Sequence, residues 1–175
     1  STWGNIDRQF NVLCSIDESI RHDKDINYSL YLVLKSLTEY ESLESDYDIV
    51  NMKLYTLKEI GQMVKGARGF LSDDTVGKQL HIMDMKGIIK IEKIGKRYDR
   101  ILIPKISSGE KGLMLNNKVI SNLSSVLKSD AMKVYIYLLN WQEQRIRNRY
   151  TNEPVISAEA IFRGAFGKEP KTSSD

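Results

Sequence analysis

At 175 residues, with 41% hydrophobic and 28% charged residues and a formal net charge of +3, the chain has an ordinary globular composition and room for one good core or two small ones. No apolar run reaches the ~18 residues that cross a bilayer, the N-terminal stretch does not read as a secretory leader, and a lone cysteine, Cys14, excludes an internal disulfide and fits a reducing cytoplasm. The charge is unevenly laid out: residues 1–85 hold 9 Lys+Arg against 14 Asp+Glu, residues 86–149 hold 14 against 5, and residues 150–175 hold 3 against 4.

In chain order, Ile6, Phe10, Leu13, Ile16 or Asp17, and Ile20 recur at helical spacing and predict an amphipathic helix over residues 5–21, packed on its own domain or on a twofold mate. HDKD, His22 to Asp25, breaks it. Asn27 then suits the cap of a helix from Tyr28 to about Tyr40, with Leu30, Val33, Leu34 and Leu37 inward. Glu39, Glu41, Glu44, Asp46 and Asp48 read as a solvated acidic connector, and Met52 to Tyr55 as a short strand. Thr56 and Glu59 form a capping box for a helix over Leu57 to Val64, and GARG, Gly66 to Gly69, reads as the turn into the next helix.

That next helix carries the most information. Ser72 is a good N-cap, and Asp73 and Asp74 place negative charge at the positive end of the helix dipole. Val76, Leu80, Met83 and Gly87 follow at spacings of four, three and four, which makes one apolar stripe and puts a glycine where the helix should stop. Ile88 to Ile94 and Arg100 to Pro104 predict the arms of a β-hairpin, with GKRYD, Gly95 to Asp99, as a basic tip.

Polar, glycine-containing residues 107–117 predict a linker. Val119 to Leu127 suggest a short helix, and Ser129 with Asp130 caps a longer one. Its Met132, Val134, Tyr135, Leu138, Leu139 and Trp141 are too numerous for an exposed face, so burial on more than one side is expected. After the basic run QRIRNRY, Gln144 to Tyr150, a strand at Pro154 to Ile156, a helix capped by Ser157 and a GAFG turn would repeat the order of residues 52–69.

Residues 75–89, TVGKQLHIMDMKGII, resemble the recognition helix of bacterial winged helix-turn-helix DNA-binding domains. Thr75, Val76, Gly77, Lys78, Leu80, Met83, Lys86, Gly87, Ile88 and Ile89 fill matching places, and the likeness spans roughly residues 26–105. Gly77 stands where that family often has serine. The implied fold is mainly α with small β-hairpins (α+β). Its parts would be an N-terminal packing or dimerisation helix over 1–25, a winged helix over 26–106, the linker 107–117, and a second, incomplete winged-helix-like domain with a polar tail over 118–175. SDAMKVYIYLLNW also resembles, by pattern more than by motif, the opening helix of the second winged domain in plasmid and phage replication initiators; residues beyond Asp175 would then complete it.

The resemblance implies double-stranded DNA as partner. Thr75, Lys78, Gln79 and His81 would be offered to base edges and phosphates, Lys65 and Arg68 to phosphates, and Lys96, Arg97 and Arg100 on the wing to the backbone or minor groove. Two histidines and one cysteine are too few for a His/Cys metal site, so no metal or cofactor is expected. Without a phosphate-cradling glycine motif or a nucleophile elbow, neither is an enzyme. The expected protein is a cytoplasmic, homodimeric plasmid or phage replication initiator or transcription regulator. The alternative is a winged-helix protein-interaction module in a segregation or replisome assembly, favoured by Asp73, Asp74 and Gly77 on the nominal DNA face.

Overall fold

The computed structural model describes residues 9–15, 18–39, 45–106, 112–152 and 155–170, arranged as helices and small antiparallel sheets. The elements are β1 (Asn11–Ser15), α1 (Glu18–Arg21), α2 (Tyr28–Ser36), β2 (Tyr47–Asn51), α3 (Leu57–Gly61), β3 (Lys65–Gly66), β4 (Gly69–Phe70), α4 (Asp73–Met85), β5 (Lys90–Ile94), β6 (Arg97–Pro104), β7 (Gly112–Asn116), α5 (Asn117–Ser124), α6 (Ser129–Arg147) and α7 (Ala158–Phe166).

Helix α2 is the centre of the molecule. Its sequence, YSLYLVLKS, is apolar around most of its circumference, and every residue from Tyr28 to Ser36 is buried. Asn27 caps it as expected, its side-chain oxygen accepting from Leu30 N at 3.0 Å. The helix packs against α5, α6, β1 and β2. Lys35 is buried with it and pairs with Asp48 of β2. Asp48 is therefore not part of a solvated connector; it compensates an ammonium that burial alone would make costly. Cys14 lies in the same interior. Burial pushes its thiol up to about 12, against the lowering charge of Lys35 and with the raising charge of Asp48.

The N-terminal segment differs most from expectation. Residues 11–15 form a strand, not a helix, in which Val12 and Cys14 turn inward and Asn11 and Leu13 outward, a period of two. Its partner is β7, antiparallel, with Leu13 opposite Met114. Residues 112–116, expected in a linker, thus close a sheet with a segment about a hundred positions away. Asn117 seals the end: its amide donates to Phe10 O at 2.9 Å and its side-chain oxygen accepts from Phe10 N at 3.0 Å. The expected helical residues Ile6 and Ile16 lie outside the described residues.

The main sheet runs β2-β6-β5, all antiparallel. The first strand comes five residues earlier than the Met52 to Tyr55 expected. Asn51 ends it, because its side-chain oxygen accepts from Lys53 N at 3.0 Å and turns the chain. Strand β6 occupies the middle and buries Ile101, Leu102 and Ile103 in succession. The turn between β5 and β6 is shorter than GKRYD. Gly95, at φ 63°, and Lys96 make it alone, so Asp99 and Arg100 lie in a strand.

Helix α3 carries the capping box in full: Thr56 accepts from Glu59 N, and Glu59 from Thr56 N. The GARG stretch is a minimal hairpin, β3-β4, with Ala67 and Arg68 at its tip. Helix α4 begins at its Ser72 cap, buries Val76, Leu80 and Met83, and ends as the spacing predicts. Gly87, at φ 73°, donates to Asp84 O, and Ile88 donates back to Met83 O at 2.9 Å, the two bonds of a Schellman stop.

The C-terminal third is three helices. Ser129 does not cap α6; its hydroxyl accepts from Tyr28 N at 2.9 Å, satisfying an amide in the first turn of α2. In α6, Met132, Lys133 and Ile136 are buried, while Val134, Tyr135, Leu138, Leu139 and Trp141 are only partly so. The expected burial on several sides is thus confined to one face, toward α2 and α7. Pro154 lies outside the described residues, and Val155 and Ile156 form no strand. Gly164, Ala165 and Phe166 continue α7 where a turn was expected, and the stop falls at Gly167, φ 73°. One core cluster runs from Val12 through Met83 to Ile136, joining residues that the sequence reading placed in separate domains.

Candidate nucleic-acid interface

Helix α4 turns three residues to the core and leaves Asp73, Asp74, Thr75, Lys78 and His81 exposed, along with Asp84 and Met85 in its last turn. Asp73, Asp74, Lys78 and His81 rim a groove of about 660 Å³ whose floor is apolar: Leu57 of α3, Gly77 and Ile82. The floor is open because residue 77 lacks a Cβ. An alanine there would place its methyl in ordinary contact, 3.6 Å from Leu57 and 4.0 Å from the Tyr98 hydroxyl. Neither Leu57 nor Ile82 was expected as part of the surface; the signal available was their spacing off the buried stripe.

The nine expected contact residues fall into three groups. Gln79 is spent inside the fold: its carbonyl oxygen accepts from Asn27 N at 3.0 Å and its amide donates to Asp25 O at 2.9 Å, so both ends clamp α4 to the loop before α2. It is not a base-reading residue in this arrangement. Lys78, Arg100 and Lys65 have intrachain partners. Lys78 pairs with Asp74 one turn before it at 3.1 Å, Arg100 with Glu92 across the hairpin at 2.6 Å, and Lys65 lies 6.0 Å from the ring centre of Phe70. The Lys78 pair is exposed on both sides and therefore exchangeable for a phosphate contact.

Thr75, Arg68, His81, Lys96 and Arg97 remain exposed. Thr75 is engaged locally, its amide donating to Ser72 Oγ and its hydroxyl accepting from it at 3.0 Å. Lys96 and Arg97 stand at the tip of the β5-β6 hairpin, the basic feature that the sequence places there. Lys93 adds to it, lying 4.8 Å above the ring of Tyr98 in the facing strand. Tyr98 itself folds toward the α3 side, lining a second cleft with Leu54, Tyr55 and Leu57.

The far end of α4 is anchored by charge. Lys86 reaches Asp23 at 2.5 Å and Asp25 at 3.6 Å. Partial burial would raise the Asp23 carboxyl, but hydrogen bonds from Lys86 and the Asp25 amide, with the charges of Lys86 and Lys133, outweigh it and hold the group below its usual range. Asp23 thus fixes the stop of α4 while Gln79 fixes its middle. The helix is tied to the loop before α2 and presents one face outward.

No helix among the described residues is long and apolar enough to cross a membrane. Scans against protein-family models, curated proteins and solved structures find no match to this chain.

Proposed function

We propose that residues 26–105 are a winged helix that binds double-stranded DNA, with α4 as recognition helix and the β5-β6 hairpin as wing, in a plasmid or phage replication initiator or a transcription regulator. The supporting observation is the pairing of an outward-facing helix, tied by Gln79 to the loop before α2, with a hairpin whose tip carries Lys96 and Arg97, both exposed. Between Lys90 and Arg100 the hairpin holds five cationic residues against Glu92 and Asp99, the concentration of positive charge that phosphate contact uses. On α4 the base-reading set reduces to Thr75, Lys78 and His81.

The test is the double variant Lys96→Ala/Arg97→Ala. Two lost phosphate contacts should weaken duplex binding by roughly one to two orders of magnitude at low salt and flatten the salt dependence by about two charges. Circular dichroism should not change, because both side chains are exposed. Unaltered affinity and salt slope would refute the wing assignment. Footprinting the bound duplex then counts half-sites and tests the expected homodimer.

A second reading has its own observation. The groove over Leu57, Gly77 and Ile82 has an apolar floor and a rim on which Asp73 and Asp74 stand with Lys78 and His81, and an apolar floor suits an amphipathic peptide better than a phosphate backbone. Retention of a protein partner at high salt, with no retention on duplex or heparin, would favour this interaction module.

A further inference from the structure

Away from α4, a cleft of about 430 Å³ opens between α6, α7 and the loop after α1, within the roughly 300–1,000 Å³ usual for small-molecule sites. Its lining divides by chemistry. Lys24, Lys133 and Lys168 supply three ammonium groups against one carboxylate, Asp130, and Phe162 and Phe166 supply an apolar wall. The two phenylalanines are four apart on one face of α7, their ring centres 5.0 Å apart and tilted by 58°. The left-handed stop at Gly167 brings Lys168 beside them, and His22 closes the back, its ring against Gly167 and its Nε2 2.8 Å from Gly164 O.

Lys133 is the unusual member. The residue is only 4% exposed, yet among the described residues its ammonium makes one hydrogen bond, to the neutral carbonyl of Asp23 at 3.2 Å. An ammonium carries three donors and is costly to bury without a compensating anion. Burial lowers its pKa and the Lys168 charge lowers it further, opposed by Asp130 and Asp23. An anion seated in the cleft would add to the compensation that Asp130 and Asp23 give the Lys133 ammonium.

We infer that this cleft binds a small organic anion with a flat apolar body, its phosphate or carboxylate facing Lys24, Lys133 and Lys168 and its ring lying on Phe162 and Phe166. The anionic group satisfies the buried ammonium, and the ring covers half-buried aromatic surface.

The probe is 8-anilinonaphthalene-1-sulfonate, an aromatic anion whose fluorescence reports a dry site. The full chain should bind it saturably, one per chain. Lys24→Gln/Lys168→Gln removes two exposed cations and should weaken binding by about tenfold or more, and Phe162→Leu should weaken it separately. Displacement by adenosine 5′-monophosphate or by 2-naphthoate identifies the phosphate or the carboxylate as the natural head group. No saturable binding, or binding that both variants leave unchanged, overturns the site. Displacement by inorganic phosphate as effective as by either aromatic anion overturns the role of the phenylalanine wall.

Discussion

The pairs α3-α4 and α6-α7 both close on a glycine, yet they meet different walls. At Gly61, in the last turn of α3, a Cβ would run into the backbone carbonyl of Leu71, just before α4 begins; the same approach lets Gly61 O accept from Leu71 N at 3.1 Å. At Gly164, inside α7, a Cβ would run into the ring of Tyr137 on α6. A backbone wall can be relieved only by moving an element, whereas a ring can turn or be replaced. The first pair is thus locked by its own main chain and handed directly to the β5-β6 hairpin, while the second is held by side-chain packing that can be re-formed.

The largest test of this difference is Gly61→Ala. Overpacking against fixed backbone should cost about 3 kcal/mol, the upper end of the usual range, read as a lower urea midpoint with unchanged slope. A loss under about 1 kcal/mol would mean that the α3-α4 approach relaxes freely. Gly164→Ala should cost less, about 1–2 kcal/mol. Its cost should also be rescued: Gly164→Ala combined with Tyr137→Leu should be more stable than the sum of the two single changes predicts, because the second makes room for the first. No such coupling is available at Gly61, where the obstacle is an atom that every residue carries. Strict additivity of the Gly164 and Tyr137 changes would erase the distinction.

The same contrast explains what could be read along the chain. In residues 56–104 the signals are local. Thr56 with Glu59, Ser72 with Thr75, and Gly87 with Asp84 each settle an element end within five residues, so caps and spacing were sufficient for those ends. On the surface they were not, because Gln79 has partners more than fifty residues away, at Asp25 and Asn27, and its sequence neighbourhood is that of an exposed helix position. The N-terminal strand failed for the same reason. Leu13 fits a helical stripe by spacing, but Met114 and the rest of β7 lie opposite it and claim the backbone for a sheet. In residues 154–167 the order of turn and apolar residues imitates residues 52–69, and only Tyr137 beneath Gly164 shows that this glycine sits inside a helix. A glycine read as a turn signal and one required by close packing are the same letter.

Gly77 is the smallest test and bears on both proposed readings. Unlike Gly61 and Gly164 it faces no wall, since a methyl there stands at contact distance from Leu57 and Tyr98. Gly77→Ala should therefore stabilise the protein, by about 0.5–1 kcal/mol, the helix propensity that glycine forgoes. A thermal melt checks the sign. Packing thus gives no reason for a glycine at this place in α4; on the proposed readings, close approach of a partner to the groove floor would supply one. The variant should then melt higher while binding its duplex or peptide partner more weakly, the opposed signs expected where a residue serves contact at the expense of stability. A gain in stability with undiminished binding would instead place the partner on the β5-β6 hairpin and the rim of α4, leaving the groove floor unused.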